Sequence, residues 1–441
     1  MVFYRYWLSQ SLHYSIRVLA LFGLAVFGFL VVTLVIPSVS VSQSSSSDET
    51  YRQLSLFGDV FQRVREEYVD EISDKDLVGN AITGMLTSLD PHSSFLPDDA
   101  FDKMRERTRG EFGGLGIEIT MEDGLIKVVS PIDDTPAANA GILAGDLIIR
   151  IAEEDVMGMT LSEAVERMRG PVGSDIEITI LREGLDPFPV TLTRDTIKMR
   201  SVRFESYGEV GYIRLTTFSE QTTPGLEKAI KALREEHGDT LDGIVLDLRN
   251  NPGGLLSEAI SVTDTFLEKG EIVSTRGRRE DEAARFYATA GDKSDGLPLV
   301  VLINSGSASA SEIVAGALKD HGRALVMGTR SFGKGSVQSI IPLPGHGAIR
   351  LTTARYYTPS GVSIQSTGIE PDIMVELAVV EDIEKGAVRE EDLRGALDND
   401  KNDTSNENAD DGADQVNLED YQLARAIDLL RGLNVFRNLT N

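Results

Sequence analysis

An alternation of strand-like and helix-like segments between residues 200 and 375 restricts the fold more than any other feature of this sequence. The runs GIVLDL and PLVVLIN are short, apolar and uninterrupted, which is typical of strands covered on both faces. Helix-like segments follow them, LLSEAISVTDTFLE after the first and SASEIVAGALKD after the second. This alternation indicates an α/β fold. We therefore predict an α/β core over residues 187–376.

A separate β-rich module, residues 109–186, precedes this core. EFGGLGIEIT predicts a glycine loop that leads into a strand, and GLIKVVS and SDIEITILREG alternate as half-buried strands do. Between the latter two, TLSEAVERMRG predicts a short helix with a capping box of Thr160 and Glu163. The order of these segments resembles that of a PDZ domain.

The glycine loop of this module matches the carboxylate-binding loop of PDZ domains. Consecutive backbone N–H groups in such a turn can hold a terminal carboxylate, and the edge of the following strand can accept a peptide as an additional strand. The resemblance therefore implies a site for the C-terminus of another protein. Its residues are Gly114, Leu115, Gly116 and Ile117.

Residues 18–36 form an apolar segment without a charge. As a helix it would extend about 28 Å, close to the ~30 Å hydrocarbon thickness of a bilayer. Arg5 and Arg17 precede it, so the positive-inside rule places residues 38–441 on the far side of the membrane. We expect residues 1–37 to anchor the chain in a bacterial inner membrane, with the body in the periplasm. A cleaved signal segment, which would release a secreted body, is the alternative.

The remaining segments are assigned from their pattern and composition. Residues 38–49 are a Ser-rich linker, and residues 50–108 show the four-residue apolar spacing of helices. Residues 377–415 are acidic and poor in aromatic side chains, which predicts a disordered linker. Residues 416–441 predict one amphipathic helix.

Charge and cysteine content exclude several classes of function. The net charge of −27 argues against a nucleic-acid partner, because a phosphate backbone requires a basic surface. The chain has no cysteine, which excludes disulfides, thiolate metal sites and a cysteine nucleophile.

Lys334 lies in GTRSFGKGSVQ, which has the glycine and lysine spacing of a phosphate-binding P-loop. A P-loop also needs Ser or Thr after the lysine and a helix that begins there. This chain has Gly335 at that position, and the following residues show no helical period. We therefore place Lys334 on a turn between two strands and reject an ATP-dependent enzyme.

A serine-rich turn, NSGSASASE, precedes this lysine and lies between an apolar strand and a helix. Hydrolases expose a nucleophilic hydroxyl at such turns, where the amides of the helix N-terminus can stabilise an oxyanion. A neutral lysine can act as the base if burial lowers its pKa by roughly 3 units from ~10.4. Ser309 and Glu312 also fit a capping box, so that serine is either a nucleophile or a helix cap. The serines of the turn are Ser305, Ser307, Ser309 and Ser311.

Three motifs together resemble the carboxyl-terminal processing peptidases, a family of serine proteases with a PDZ domain and a Ser–Lys dyad. They are NSGSASASE, GKGSVQ and LDLRNNPGG, and the similarity extends from LTSLDPHSSF to GIEPDI in the order of the family. The resemblance implies that Ser309 is the nucleophile, Lys334 the general base and Gln338 the residue that orients the lysine.

The same resemblance implies an oxyanion hole and a contact between the two modules. The backbone N–H of Ala310 would form the hole together with that of Gly253 or Gly254. Arg169 either couples the PDZ domain to the protease core, as in similar proteases, or is a positive charge at a helix C-terminus. We expect His92, in DPHSSF, to be structural.

The expected function is therefore a serine endopeptidase that recognises the apolar C-termini of exported proteins through its PDZ domain. The resemblance implies no metal and no other cofactor. The alternative is a catalytically silent, membrane-anchored PDZ scaffold, which would have no reason to keep both Ser309 and Lys334. An adaptor protein and an oligomeric state are left open.

Overall fold

The computed structural model describes residues 44–378, 394 and 420–440. None of the helices in these ranges is both long enough and apolar enough to span a bilayer. The predicted membrane segment at residues 18–36 lies outside the described residues, as does nearly all of the predicted acidic linker.

The chain divides into two compact units, Met1–Ala81 and Ile82–Asn441. Helix α1 (Ser44–Glu67) belongs to the first unit, and helix α2 (Asp74–Thr87) begins there. Strand β1 and helix α3 of the second unit follow. The predicted helical region therefore contains three helices and one short strand, with the last two elements at Ser94–Leu96 and Asp98–Arg109.

The PDZ module contains an antiparallel sheet in the order β3-β4-β5-β7-β8, with β6 beside β5. Strand β8 pairs with β7 along its whole length, so the sheet continues past the predicted boundary at residue 186. Strands β2 and β9 pair with each other, so the module leaves the core and returns to it through one two-stranded ribbon. The strands are β2 (Glu111–Gly114), β3 (Ile117–Glu122), β4 (Leu125–Pro131), β5 (Leu147–Ile151), β6 (Glu154–Asp155), β7 (Asp175–Leu181), β8 (Phe188–Thr193) and β9 (Asp195–Lys198).

Two helices cover this sheet, and both follow from local sequence. Helix α4 (Pro136–Asn139) has its proline at the first position, where a missing N–H costs nothing. Helix α5 (Leu161–Met168) begins at the predicted capping box, in which the Thr160 N–H donates to Glu163 at 2.8 Å. Apolar side chains of the strands and of both helices form one buried cluster.

The α/β core contains a six-stranded sheet in the order β10-β11-β12-β15-β16-β19. Its first pair is antiparallel and the other pairs are parallel, as the predicted alternation of strands and helices requires. The strands are β10 (Val202–Tyr207), β11 (Val210–Leu215), β12 (Gly243–Asp247), β15 (Leu299–Ile303), β16 (Leu325–Gly328) and β19 (Ile373–Met374).

Helices cover both faces of this sheet. Helices α6 (Thr222–His237), α7 (Leu256–Asp264) and α8 (Ala310–Asp320) pack on one face, where the largest cluster of buried apolar residues lies. Helix α9 (Tyr421–Thr440) packs on the other face through Leu423, Ala426, Ile427 and Leu430. The apolar runs of the strands are therefore buried on both sides.

A second, antiparallel sheet completes the core. Strand β18 lies at its centre and pairs with β1, β13 and β17, while β14 pairs with β13. These strands are β13 (Glu271–Gly277), β14 (Ala284–Tyr287), β17 (Ser336–Pro342) and β18 (Ala348–Tyr357). Because β17 follows the turn of Lys334, this sheet holds the lysine loop in place.

Candidate active site

Ser309 lies at the turn between strand β15 and helix α8, immediately before the first helical residue, Ala310. Its backbone has φ 57° and ψ −112°, a region that residues other than glycine rarely occupy. Holding such a conformation costs on the order of 1–3 kcal/mol and is common at functional sites. The side chain is buried to 7% exposure and lies within hydrogen-bonding reach of the Tyr356 phenol.

The neighbouring serines of the turn have other roles. The Ser307 hydroxyl donates to the carbonyl of Leu248 at 2.8 Å, and the Ser311 hydroxyl donates to the carbonyl of Asn251 at 2.9 Å. Both serines are fully buried and fasten the turn to the end of β12. Ser305 is exposed. The geometry therefore distinguishes Ser309 from the other three serines, which the spacing in the sequence could not do.

Glu312 makes only half of the capping box that its position suggests. Its carboxylate accepts the Ser309 N–H at 2.7 Å, but its own N–H donates to the Ser309 carbonyl oxygen at 2.9 Å. The Ser309 side chain makes no capping hydrogen bond. Because the cap does not use the hydroxyl, Ser309 can serve as a nucleophile while Glu312 holds its backbone.

The same carboxylate also holds the lysine loop. It is fully buried and accepts hydrogen bonds from Ser331 Oγ at 2.6 Å, Gly333 N–H at 2.7 Å and Lys334 N–H at 2.9 Å. Oxygen Oε2 accepts from both Ser309 and Lys334, so their amide nitrogens lie no more than 5.6 Å apart, the sum of the two distances. Glu312 therefore joins the two candidate catalytic segments. Sequence reasoning assigned this residue only a capping role.

Lys334 lies on the loop between β16 and β17, as predicted, and a strand rather than a helix follows it. The residue is half-buried. Burial, together with the positive charge of Arg350, lowers the pKa of Lys334, while Glu312 and Asp90 act in the opposite direction. A lysine with a lowered pKa is more often neutral, which is the form that can accept a proton.

The turn of Asp90 and His92 lies beside this lysine, which sequence reasoning did not anticipate. Burial and the charges of Lys334 and Arg350 lower the pKa of His92, and Asp90 opposes them. The Asp90 carboxylate accepts the N–H groups of His92 at 2.8 Å and Ser93 at 3.0 Å. Burial alone would raise the pKa of Asp90, but its hydrogen bonds from Ser93, His92 and Thr352 together lower it.

Gln338 lies on β17, opposite Thr352 of β18. Its amide nitrogen donates to Ser336 Oγ at 2.9 Å and to Thr352 Oγ1 at 3.3 Å. Both hydrogens of the amide group are therefore used within the sheet. The role predicted for Gln338, orienting Lys334, would fall to its amide oxygen.

The Asn-Pro-Gly-Gly turn lies directly against the serine. A Cβ on Gly253 would lie 3.0 Å from both the Ala310 nitrogen and Ser309 Cβ, so only glycine fits there. The Gly253 N–H donates to the Asn251 side chain at 2.9 Å. Of the two predicted donors, Gly254 is therefore the better match for an oxyanion hole shared with Ala310.

The predicted carboxylate-binding loop lines a groove of about 210 Å³ in the PDZ module. Its wall includes the four residues from Gly114 to Ile117 and, from helix α5 and its C-terminus, Val165, Met168 and Arg169. The guanidinium of Arg169 lies 4.1 Å from the ring centre of Phe112 and 3.2 Å from the Glu106 carboxylate. Arg169 thus occupies the C-cap of α5 and also contacts helix α3 outside the PDZ sheet.

Comparison with known proteins identifies three parts of the chain. Residues 209–375 match peptidase family S41, residues 127–182 match a PDZ domain, and residues 34–100 match the N-terminal domain of the activating protease CtpB. A carboxy-terminal-processing protease of Bartonella bacilliformis is 52% identical over 415 residues, covering 92% of this chain and 94% of that protein. The chain belongs to the carboxy-terminal-processing proteases of peptidase family S41. The predicted family, PDZ domain and serine-type peptidase class of this S41 protease are thereby confirmed.

More distant relatives of this S41 protease also cover most of it. A probable CtpA-like serine protease of Staphylococcus epidermidis is 33% identical over 374 residues, covering 83% of this chain and 75% of that one. Among solved structures, the photosystem II D1 C-terminal processing protease is 30% identical. That alignment covers 73% of this chain and 92% of the other, with a TM-score of 0.44.

Proposed function

We propose that this S41 protease cleaves polypeptides with a dyad of Ser309 and Lys334. The supporting observation is the Glu312 carboxylate, one oxygen of which accepts the backbone N–H groups of both residues. A scaffold protein needs neither a serine with a strained backbone nor a nearby lysine of lowered pKa. The pairing is therefore best explained by catalysis.

The proposed reaction has two stages. Neutral Lys334 accepts the proton of the Ser309 hydroxyl as Oγ attacks the scissile carbonyl carbon, and the N–H groups of Ala310 and Gly254 stabilise the oxyanion. The leaving amine takes the proton from Lys334 when the C–N bond breaks. Water, deprotonated by Lys334, then hydrolyses the acyl-enzyme and regenerates the serine.

The proposed substrates are exported proteins with apolar C-termini. The groove beside Gly114 to Ile117 has the backbone donors for a terminal carboxylate and apolar walls for the last side chains. The place of action is the bacterial cell envelope, with residues 18–36 as the anchor. An uncut chain that resists carbonate extraction from membranes would support the anchor, whereas a shortened soluble chain would support a cleaved signal.

The test uses the full chain and a folded reporter that ends in a flexible apolar tail, with products read by mass spectrometry. Ser309→Ala and Lys334→Met are each expected to lower the rate of tail cleavage by at least about 10³-fold. Ser305→Ala, in the same turn but exposed, is the matched control and keeps wild-type activity. Cleavage by Ser309→Ala at the wild-type rate would contradict the dyad. A second reporter with an amidated terminus lacks the terminal carboxylate, so its KM tests the role of the PDZ groove.

A further inference from the structure

The turn before β1 is connected to the lysine loop through the second sheet of the core. Strand β18 lies between β1 and β17, so Thr352 has the Asp90 turn on one side and Gln338 on the other. The Thr352 hydroxyl donates to Asp90 Oδ1 at 3.1 Å, and its N–H donates to Ser93 Oγ at 3.1 Å. Asp90, Thr352 and Gln338 therefore form a continuous chain of hydrogen bonds.

The direction of each hydrogen bond in this chain is fixed by the carboxylate. An ionised carboxylate can only accept, so the single proton of the Thr352 hydroxyl points toward Asp90. The hydroxyl oxygen is then left to accept, and the group opposite it is the amide nitrogen of Gln338. Because the other amide hydrogen donates to Ser336, the amide oxygen of Gln338 remains as its acceptor.

We infer that Asp90 is a positioning residue for the dyad, which acts through Thr352 to present the oxygen of Gln338, rather than its NH₂ group, to the amine of Lys334. This inference rests on the proposed function of Ser309 and Lys334. A neutral amine that donates one hydrogen to Gln338 has its lone pair directed elsewhere, toward the hydroxyl it must deprotonate. If the amide turned over, two donors would face each other.

Asp90 also acts on the lysine through its charge. The charged and titratable groups that influence Lys334 are Arg350 of β18, Glu312 of α8, and Asp90 with His92 in the turn before β1. The negative charge of Asp90 raises the pKa of Lys334. Its removal lowers that pKa, and the acidic limb of the pH–rate profile, where Lys334 loses its proton, then moves to lower pH.

The test compares three isosteric substitutions in the full chain, with the tailed reporter as substrate. Thr352→Val removes the hydroxyl but keeps the charge of Asp90, and is expected to lower kcat at least about tenfold with little change in KM. Asp90→Asn keeps an oxygen that can accept from Thr352 but removes the charge, and is expected to move the acidic limb down by about half a pH unit or more. Thr353→Val is the matched control, because that hydroxyl is exposed and bonds to Ser339 instead.

Three outcomes would overturn the inference. The first is a wild-type kcat in Thr352→Val, and the second is an equal loss of kcat in Thr353→Val. The third is a loss of kcat in Asp90→Asn without a shift of the acidic limb, which would show that Asp90 has a structural role only. Lys334→Met separates this inference from the proposed function. If that variant cleaves at the wild-type rate, the dyad itself fails, whereas an inactive Lys334→Met beside a fully active Thr352→Val refutes only the role of Asp90.

A second measurement does not depend on cleavage. In protein labelled with ¹³Cε-lysine, the resonance absent from Lys334→Met identifies Lys334, and its chemical shift gives the pKa directly. The Lys334 resonance is expected to titrate at lower pH in Asp90→Asn than in the wild type, and at the wild-type pH in Thr353→Val. An unchanged titration in Asp90→Asn would refute the electrostatic part of the inference.

Discussion

Arg350 and Lys334 are positive charges whose repulsion favours the neutral form of the lysine. Arg350 is the second cause, after burial, of the lowered pKa of Lys334. As the proposed base, Lys334 must be neutral before it can accept a proton, so activity is expected to increase as the pH rises through this pKa. Removal of a nearby positive charge raises the pKa of Lys334 and moves the increase in activity to higher pH.

We therefore predict that Arg350→Gln raises the pKa of Lys334 and moves the acidic limb of kcat/KM to higher pH, opposite to the change expected for Asp90→Asn. For each pH unit that the limb moves, the rate falls about tenfold at pH values below the limb and is unchanged well above it. A pH–rate profile measures this directly. Arg355→Gln, an exposed arginine on the same strand, is the control, and an identical displacement there would assign the effect to the overall charge.

At the scale of elements, the carboxylate of Glu312 joins helix α8 to the loop between β16 and β17. Four donors converge on its two oxygens from these two elements. A glutamine at this position can accept on only one of its two terminal atoms, so its NH₂ group would face donors that then lack a partner.

Glu312→Gln is therefore expected to lower the free energy of unfolding by about 2–4 kcal/mol, since each unsatisfied buried donor costs about 1–3 kcal/mol. Loss of the hydrogen bonds that join the Ser309 and Lys334 segments should also lower kcat. Denaturant unfolding and reporter cleavage test both effects. Glu163→Gln in the exposed capping box of α5 is the control, and its expected loss is smaller because water can replace the lost hydrogen bonds. Comparable destabilisation by the two variants would contradict a special role for Glu312.

Elements with a local signal were predictable from the sequence, and those formed by distant partners were not. The apolar runs of β12 and β15, the capping box of α5 and the turn of Lys334 all follow from short stretches of sequence. The end of the PDZ sheet was missed because prolines in DPFPVTLT obscure the pattern of β8. Pairing of β1 with β18 joins residues more than 250 positions apart, which no local pattern reveals.

In the candidate site, too, local features could be predicted from the sequence and long-range contacts could not. Local features indicated the serine-rich turn and Lys334, because a strand-to-helix turn and a glycine-flanked lysine can be read from short stretches, but the choice of Ser309 among the four serines came from the resemblance to the family. The dual role of Glu312 could not be derived, since S-x-x-E has the same sequence whether or not a loop about 20 residues later contacts its carboxylate. The contribution of Asp90 depends on Thr352, whose position is set by the sheet alone.

At the scale of the whole molecule, an arginine connects the start of the C-terminal helix to the turn that lies against Ser309. Arg249 directly precedes the Asn-Asn-Pro-Gly-Gly segment and is only 8% exposed. Its guanidinium donates to Asp247 at 2.6 Å and to Asp420 at 2.7 Å, immediately before helix α9. The helix therefore covers the sheet and also provides a partner for the arginine that precedes the Asn-Pro-Gly-Gly turn.

Asp420→Ala is expected to destabilise the protein by about 1–2 kcal/mol, because it leaves Arg249 with one carboxylate instead of two. The value is kept low because the Asp420 side chain is 38% exposed and solvent screens the pair. Thermal unfolding measures the effect. Asp428→Ala breaks the exposed pair with Arg425 on the same helix and should change stability by less than about 0.5 kcal/mol. Equal losses of stability in the two variants would show that the effect comes from changing the helix and not from the contact between Asp420 and Arg249.

Strand β18 supplies three side chains to the proposed active site: Arg350 acts on Lys334, Thr352 contacts Gln338 and Tyr356 contacts Ser309. A displacement of this strand by one residue against β17 would move all three at once. If Ser309 and Lys334 form the proposed dyad, a newly made chain whose second sheet has not closed would carry an inert serine. Proteolytic activity would then depend on closure of this sheet, so that a chain still unfolded could not cleave other copies of itself.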